Sequence, residues 1–209
     1  MYSLIKRTID ILASLSVLIV LSPILFLVAV IIYLQDFGNP IFKQQRMGRN
    51  GEPFNFYKFR SMPLNTPNVE SKDRDKLTIT PFGKILRRSN LDEIPQLFNI
   101  LNGDMSLIGP RPSILSQTEL TEMRKANGSI HLRPGLTGWA QVNAYDFMPN
   151  EVKAEFDGYY AKNISFGLDV KIVLKTLGYL TKKPPRCQYA LLFLSWSGAH
   201  PRSDESVDS

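Results

Sequence analysis

Between Ile11 and Leu34 the chain carries 24 consecutive residues without a charge, and no other stretch restricts the fold as strongly. As a helix rising ~1.5 Å per residue the run is about 36 Å long, enough to cross a hydrocarbon core of ~30 Å. Two features compete with a straight span. Ser22-Pro23 lies at the centre, where proline removes a backbone hydrogen bond and presses on the carbonyl four residues back, so a kink is expected. Each arm, Ile11 to Leu21 and Ile24 to Leu34, is then about 16 Å long. Basic residues also flank both ends, Lys6 and Arg7 before the run and Lys43, Arg46 and Arg49 after it. The positive-inside tendency keeps both flanks on the cytoplasmic side, which a re-entrant bend allows and a straight span forbids. The Ser22 hydroxyl can take up a backbone group freed by Pro23. Proline also occurs in spanning helices, so both readings stay open on the residues alone. A cleaved signal peptide fits less well, because a second apolar arm follows Pro23 and no small-residue cleavage site follows Leu34.

The remainder is predicted as an α/β body of the α+β kind, mostly helical, behind a membrane helix that is either re-entrant or spanning. With 44% hydrophobic and 21% charged residues among 209, the chain is not largely disordered and can bury a core. Its lone Cys187 excludes an internal disulfide framework and a Cys-rich zinc site. A formal charge of +6 favours anionic partners, whether nucleic acid, a membrane surface or a phosphorylated substrate. Alternation over residues 41–60, broken at Asn50-Gly51, predicts a β-hairpin, and Ser61 to Lys76 reads as a loop. Phe82 to Arg88 reads as a helix with Lys84, Arg87 and Arg88 on one face. Leu91, Ile94, Leu97, Phe98 and Leu101 predict a helix that begins with acids and is stopped by Asn102-Gly103. Glu151 to Thr181 is helical in period, with lysines interleaved, as an amphipathic interfacial helix would be.

Chemistry concentrates in Arg87-Arg88-Ser89-Asn90-Leu91-Asp92-Glu93-Ile94-Pro95. Adjacent carboxylates repel, and two arginines beside a helix start offset that repulsion. An ionised Asp can attack phosphorus and split one transfer into two steps. Carboxylates also hold Mg²⁺, which joins one or two protein oxygens to substrate phosphate, so Asp92 and Glu93 are candidates for both catalysis and metal binding. The competing reading is that Ser89 or Asp92 merely caps the helix. Arg111 between prolines and Arg133 before Pro134-Gly135 can present rigid guanidinium forks to phosphate, and Lys58 and Arg60 at the hairpin's end can add charge. His131 lacks a His or Cys partner and is a poor metal ligand. No nucleophile elbow, phosphate loop ending in Lys-Ser/Thr, or dinucleotide fingerprint occurs, which disfavours serine hydrolases, P-loop NTPases and Rossmann dehydrogenases.

The chain resembles the bacterial sugar transferases, the short monotopic polyprenyl-phosphate phosphoglycosyl transferases, over about residues 2–181. The resemblance is carried by Lys6-Arg7 with Ser22-Pro23, by Tyr57-Lys58-Phe59-Arg60-Ser61-Met62, and by Leu91-Asp92-Glu93-Ile94-Pro95-Gln96-Leu97. It continues through Gly103 to Pro112, Arg133-Pro134-Gly135-Leu136-Thr137-Gly138 and Gln141-Val142-Asn143. It implies transfer of a sugar 1-phosphate from a UDP-sugar to undecaprenyl phosphate with release of UMP, in two Mg²⁺-dependent steps. An N-acetylated hexosamine is one candidate sugar. It further implies Asp92 as nucleophile with Glu93 as its partner, and Lys58, Arg60, Arg87, Arg111, Arg133 and Gln141 as substrate-binding residues. The implied organisation is a membrane helix broken at Ser22 and Pro23 over residues 1–38, a catalytic domain over 39–183 and a tail over 184–209. The catalytic domain is expected on the cytoplasmic face of a bacterial inner membrane, with no nucleic-acid partner and a homo-oligomer allowed. Ala144 follows Gln141-Val142-Asn143 where the family commonly has Gly, and Tyr145-Asp146-Phe147 can alter the sugar pocket. An anchored basic binding module and a membrane phosphodiesterase that uses water as acceptor are the competing functions.

Overall fold

The computed structural model describes residues 2–64, 66, 79–143 and 148–181. Most of the predicted 61–76 loop, Ala144 to Phe147 and the tail over 184–209 lie outside the described residues. The first helix, α1 (Tyr2–Asp36), runs through Ser22-Pro23 without a break in its helical assignment. Its continuity has a local cause. Pro23 leaves the Ile19 carbonyl without its usual N–H, and the Ser22 hydroxyl donates to that same carbonyl at 2.8 Å.

One stripe of α1 is buried on both sides of the proline: Asp10, Ser14 and Leu18 on the first arm, Val28 and Ile32 on the second. Leu18 packs with Phe56, Leu97, Ile100 and Met105, whereas Val28 and Ile32 pack with Phe59 and Leu86. The opposite face leaves Leu4, Val20, Phe26 and Leu34 exposed. Polar contacts tie both ends to the body. Near the start Arg7 donates to the Ile100 and Leu101 carbonyls, and Asp10 accepts from the Leu107 amide. At the far end Asp36 pairs with Arg60.

The expected hairpin forms from β1 (Ile41–Met47) and β2 (Pro53–Phe59), antiparallel with Ile41 opposite Phe59 and Met47 opposite Pro53. Its connection holds Asn50 at φ 59° and Gly51 at φ 79°, the left-handed geometry that Asn and Gly tolerate. Phe56 and Phe59 point to opposite faces, so the two arms of α1 meet β2 through different side chains. The open edge of β2 is closed by Asn99, fully buried: it accepts from the Tyr57 amide at 3.1 Å and donates to the Asn55 carbonyl at 2.7 Å. That side chain does the work of a missing strand.

Helix α2 (Pro81–Arg88) starts with Pro81 at its first position, and the Thr80 hydroxyl accepts from the Gly83 amide. The helix predicted from Leu91 is divided. Leu91–Glu93 is a 3₁₀ turn, and α3 (Gln96–Asn102) follows Pro95. Pro95 has no N–H to reach the Leu91 carbonyl, which is taken instead by the Ile94 amide in the tighter 3₁₀ pattern. Gly103 at φ 96° ends α3 where Asn102-Gly103 predicted a stop.

Strands β3 (Ser106–Ile108) and β4 (Gly135–Thr137) pair in parallel across α4 (Thr118–Asn127), a pairing the Gly/Pro-rich segments did not reveal. A Cβ on Gly135 or Gly138 would collide with the backbone of Gly109, so these glycines let two loops close on each other. After the short α5 (Trp139–Val142), the single helix predicted over 151–181 is in fact two, α6 (Asn150–Lys162) and α7 (Phe166–Thr181). The break lies at Asn163-Ile164-Ser165: Asn163 turns its side chain onto the Tyr159 carbonyl, and the Ser165 hydroxyl accepts from the Leu168 amide. Ile108, Trp139, Val152, Phe156, Tyr160 and Ile172 form the core here, and a buried Arg124–Asp157 pair joins α4 to α6.

Candidate active site

Three elements converge on Asp92. The 3₁₀ turn brings Asp92 and Glu93, the end of α2 brings Arg87, and β2 brings Lys58. Asp92 is only 8% exposed. Neither the 3₁₀ turn nor α3 has a side-chain cap, and the Ser89 hydroxyl bonds back to the Ile85 and Leu86 carbonyls at the end of α2. The capping reading of these residues therefore falls.

Burial pushes the Asp92 carboxyl above the usual carboxylate range, and the neighbouring Glu93 adds to that, while Lys58 and Arg87 pull it back down. Among the described residues no side-chain donor bonds to Asp92; the one hydrogen bond to its carboxylate is from its own backbone amide. Burial pushes the Lys58 ammonium below its ordinary value, Arg46 and Arg87 press in the same direction, and Asp92 and Glu93 oppose them. Arg87 is held by donation from Nε to the Ser61 hydroxyl at 2.9 Å. Arg111, from the loop after β3 and 54% exposed, pairs with Glu93 at 2.8 Å.

The structure thus gathers Lys58, Arg87 and Arg111 around Asp92 and Glu93, and leaves three other predicted substrate residues elsewhere. Arg60 pairs with Asp36 and also donates to the Ile32 carbonyl, because it lies just past β2 against the end of α1. Arg133 donates to the Gly103 carbonyl in a separate cavity, and Gln141 donates to the Leu136 carbonyl within its own turn of chain. Arg46 was not expected at the site. It shares a hairpin face with Lys58 through the pairs Phe42–Lys58, Gln44–Phe56 and Arg46–Phe54, and its guanidinium lies over the Phe56 ring at 5.5 Å. The 42, 44, 46 alternation carries that information once the register is known.

No group of three metal-ligating side chains occurs among the described residues. Two adjacent carboxylates nevertheless fit Mg²⁺, which is commonly held by one or two protein carboxylates with phosphate oxygens and water completing the shell.

A model of the bacterial sugar transferase family matches residues 1–183. The chain belongs to that family. This sugar transferase is 40% identical over 186 residues to the UDP-N-acetylgalactosamine-undecaprenyl-phosphate N-acetylgalactosaminephosphotransferase of Aeromonas hydrophila, covering 84% of the chain and 43% of that protein. It is 38% identical over 175 residues to the uncharacterized sugar transferase EpsL of Bacillus subtilis, covering 83% of the chain and 86% of that protein. With the UDP-glucose:undecaprenyl-phosphate glucose-1-phosphate transferase of Escherichia coli it shares 37% identity over 192 residues, 86% of the chain and 41% of the relative. The chain therefore spans under half the length of the Aeromonas and Escherichia proteins and most of the Bacillus one.

Proposed function

We propose that this sugar transferase moves a sugar 1-phosphate from a UDP-sugar to undecaprenyl phosphate and releases UMP; the names of two relatives give that donor class and acceptor for them. The observation that carries the reading is Asp92: buried, flanked by Lys58 and Arg87, and bonded by no side-chain donor among the described residues. A carboxylate oxygen of Asp92 attacks the phosphorus that bears the sugar. The new bond is Asp92 O–P, the bond to the bridging oxygen breaks, and that oxygen leaves with UMP. In the second step a phosphate oxygen of the lipid attacks the same phosphorus. The acyl-phosphate bond breaks, Asp92 regains its carboxylate, and the lipid carries a sugar diphosphate.

Lys58, Arg87 and Arg111 neutralise the charge that gathers on the phosphoryl oxygens. Asp92 and Glu93 are the residues that would hold Mg²⁺, whose chemistry there is to polarise the phosphoryl group and ease departure of UMP. Relatives are named for N-acetylgalactosamine, glucose and galactose, so family membership by itself leaves the sugar open, and an N-acetylated hexosamine is one candidate for the donor panel.

The protein's membrane helix, continuous in its helical assignment but bent at Pro23, enters one leaflet and returns. A helix anchored to the same body by Arg7 and Asp10 at one end and by Asp36 at the other cannot readily set those ends on opposite sides of a bilayer. Its exposed apolar face, with Phe166, Leu174 and Leu177 exposed on α7, supplies the surface for lipid, and the body lies on the cytoplasmic face. The long lipid acceptor then meets Asp92 at headgroup level.

The test is to incubate purified protein with radiolabelled UDP-sugars, with and without undecaprenyl phosphate, and trap the protein by acid quench. Label should accumulate on wild type without acceptor, chase off with acceptor, and be absent from Asp92→Asn. Product formation with no labelled protein at any time would replace the two-step reading with direct displacement.

A further inference from the structure

The geometry points to a second anion site in this protein, built to take a phosphate group, in the cavity beneath the first turns of α1. That cavity, about 360 Å³, is lined by Lys6, Arg7 and Asp10 from α1, by Arg49 from the hairpin tip, and by His131 and Arg133 from the loop before β4. Its volume lies within the range of small-ligand pockets. None of its lining residues belongs to the Asp92 group.

The charges do not balance. Four cations stand against two carboxylates, Asp10 and Asp169, and Asp10 already accepts from the Leu107 amide at 3.0 Å. Asp169, itself buried, pairs with Lys6 at 2.7 Å and accepts from the Tyr2 and Tyr160 hydroxyls of the lining, which leaves three guanidiniums against Asp10. The three guanidiniums bond only to backbone carbonyls among the described residues: Arg7 to Ile100 and Leu101, Arg49 to His131, and Arg133 to Gly103. A carbonyl orients an arginine without neutralising it. Burial pushes Arg133 below its ordinary value, and Arg49 and Arg7 add to that by repulsion, with Asp10 opposing.

Arg7 and Arg133 have an ordinary reason to be present, since they satisfy carbonyls at the C-terminal end of α3 and face its dipole. Arg49 likewise satisfies a carbonyl, that of His131. It comes from a hairpin tip and adds a third like charge to the same concavity. Several fixed guanidinium forks match the several oxygens of a phosphate better than the two of a carboxylate. Exposed Leu4, Ile5 and Phe166 lie on the α1 and α7 segments beside the cavity lining, so a lipid headgroup is one source of that phosphate and the free ion is the other. The lipid source rests on the membrane placement proposed above, whereas the phosphate chemistry stands without it.

The experiment titrates the purified full chain in uncharged detergent with inorganic phosphate, dihexanoyl phosphatidic acid and dihexanoyl phosphatidylcholine, reading saturable thermal stabilisation. Phosphatidic acid or inorganic phosphate should bind, and phosphatidylcholine should bind at least tenfold more weakly. Stronger binding of phosphatidic acid than of the ion assigns the site to a lipid headgroup; equal binding assigns it to free phosphate. Arg49→Gln should weaken binding about tenfold or more, as loss of a charge-assisted bond predicts, and Arg49→Lys, which keeps the charge but not the fork, should weaken it less. If Arg49→Gln does not fold, Ser3→Glu, which sets a carboxylate in the lining, should weaken binding comparably. Lys58→Met should leave this binding intact, and Arg49→Gln should leave the labelling of Asp92 intact, so failure here and failure of the transferase reading are separable. Absence of saturable binding, or equal binding by wild type and the Arg49→Gln or Ser3→Glu variant, overturns the site.

Discussion

Asp169 and Asp92 are buried to nearly the same degree, 6% and 8% exposed, yet they are built for opposite ends. Asp169 accepts from the Tyr2 hydroxyl at 2.5 Å, the Tyr160 hydroxyl at 2.6 Å and the Lys6 ammonium at 2.7 Å. Its lone pairs are occupied, and it fastens the start of α1 to α7. Burial, with the bond to Asp169 adding to it, pushes the Tyr160 phenol upward and keeps it a donor well into the alkaline range. Asp92 has cations nearby and, among the described residues, no side-chain donor; its own backbone amide is its hydrogen-bond partner. Burial alone does not make a carboxylate reactive; burial with its own amide as partner, in place of three side-chain donors, leaves one with electron pairs to give.

The sharpest way to break this comparison is Asp92→Asn, which should lower transfer at least about 10⁴-fold and abolish labelled protein, while Asp169→Asn should label normally per folded molecule. Loss of a neighbouring cation comes next. Lys58→Met or Arg87→Gln should reduce the rate of labelling about 10²- to 10³-fold in single-turnover assays, with the fold unchanged by circular dichroism. Asp169→Asn should instead lower stability by about 3 kcal/mol in denaturant titration, because Lys6 is left half-buried without its partner.

Asp92→Asn should move stability the other way, raising it by about 0.5–2 kcal/mol at neutral pH, as relief of an unfavourable active-site charge commonly does. The sign follows from linkage: a carboxyl raised in the folded state stabilises the fold while protonated, and that contribution is lost as pH rises through its folded pKa. The gain should therefore vanish below the ordinary carboxylate value of about 4, where both states are protonated. The smallest effect is on the pH profile of labelling. Its acid limb should lie above the ordinary carboxylate value of about 4, and its alkaline limb below the ordinary lysine value of about 10.4, as the opposite shifts of Asp92 and Lys58 require. An acid limb that persists in an Asp92→Glu variant with an unshifted midpoint would assign it to another group.

Much of the fold was legible because it depends on neighbours in the chain. The Asn50-Gly51 connection, the Gly103 stop and the amphipathic run of Phe82 to Arg88 each express a short-range rule. The misread elements failed for short-range reasons of another kind. Pro95 withholds one N–H and turns the head of a predicted helix into a 3₁₀ turn, and Asn163 with Ser165 divides another by bonding to the backbone. Arg60 and Arg133 resembled Lys58 and Arg87 as basic residues in suggestive company. Their separation depends on Asp36 and Gly103, which the fold brings from other parts of the chain.

What the residues alone determined is the apolar length of α1, the hairpin, the net positive charge and the pairing of Asp92 with Glu93, since each is a property of spacing or composition. Only the tertiary structure decided that both arms of α1 lie on one body, that Asn99 closes the edge of β2, and that Arg46 joins Lys58 on one face. The same holds for which buried aspartate meets no side-chain donor among the described residues. Those outcomes depend on where distant segments meet, and hydrogen-bond satisfaction and desolvation have no value until they do.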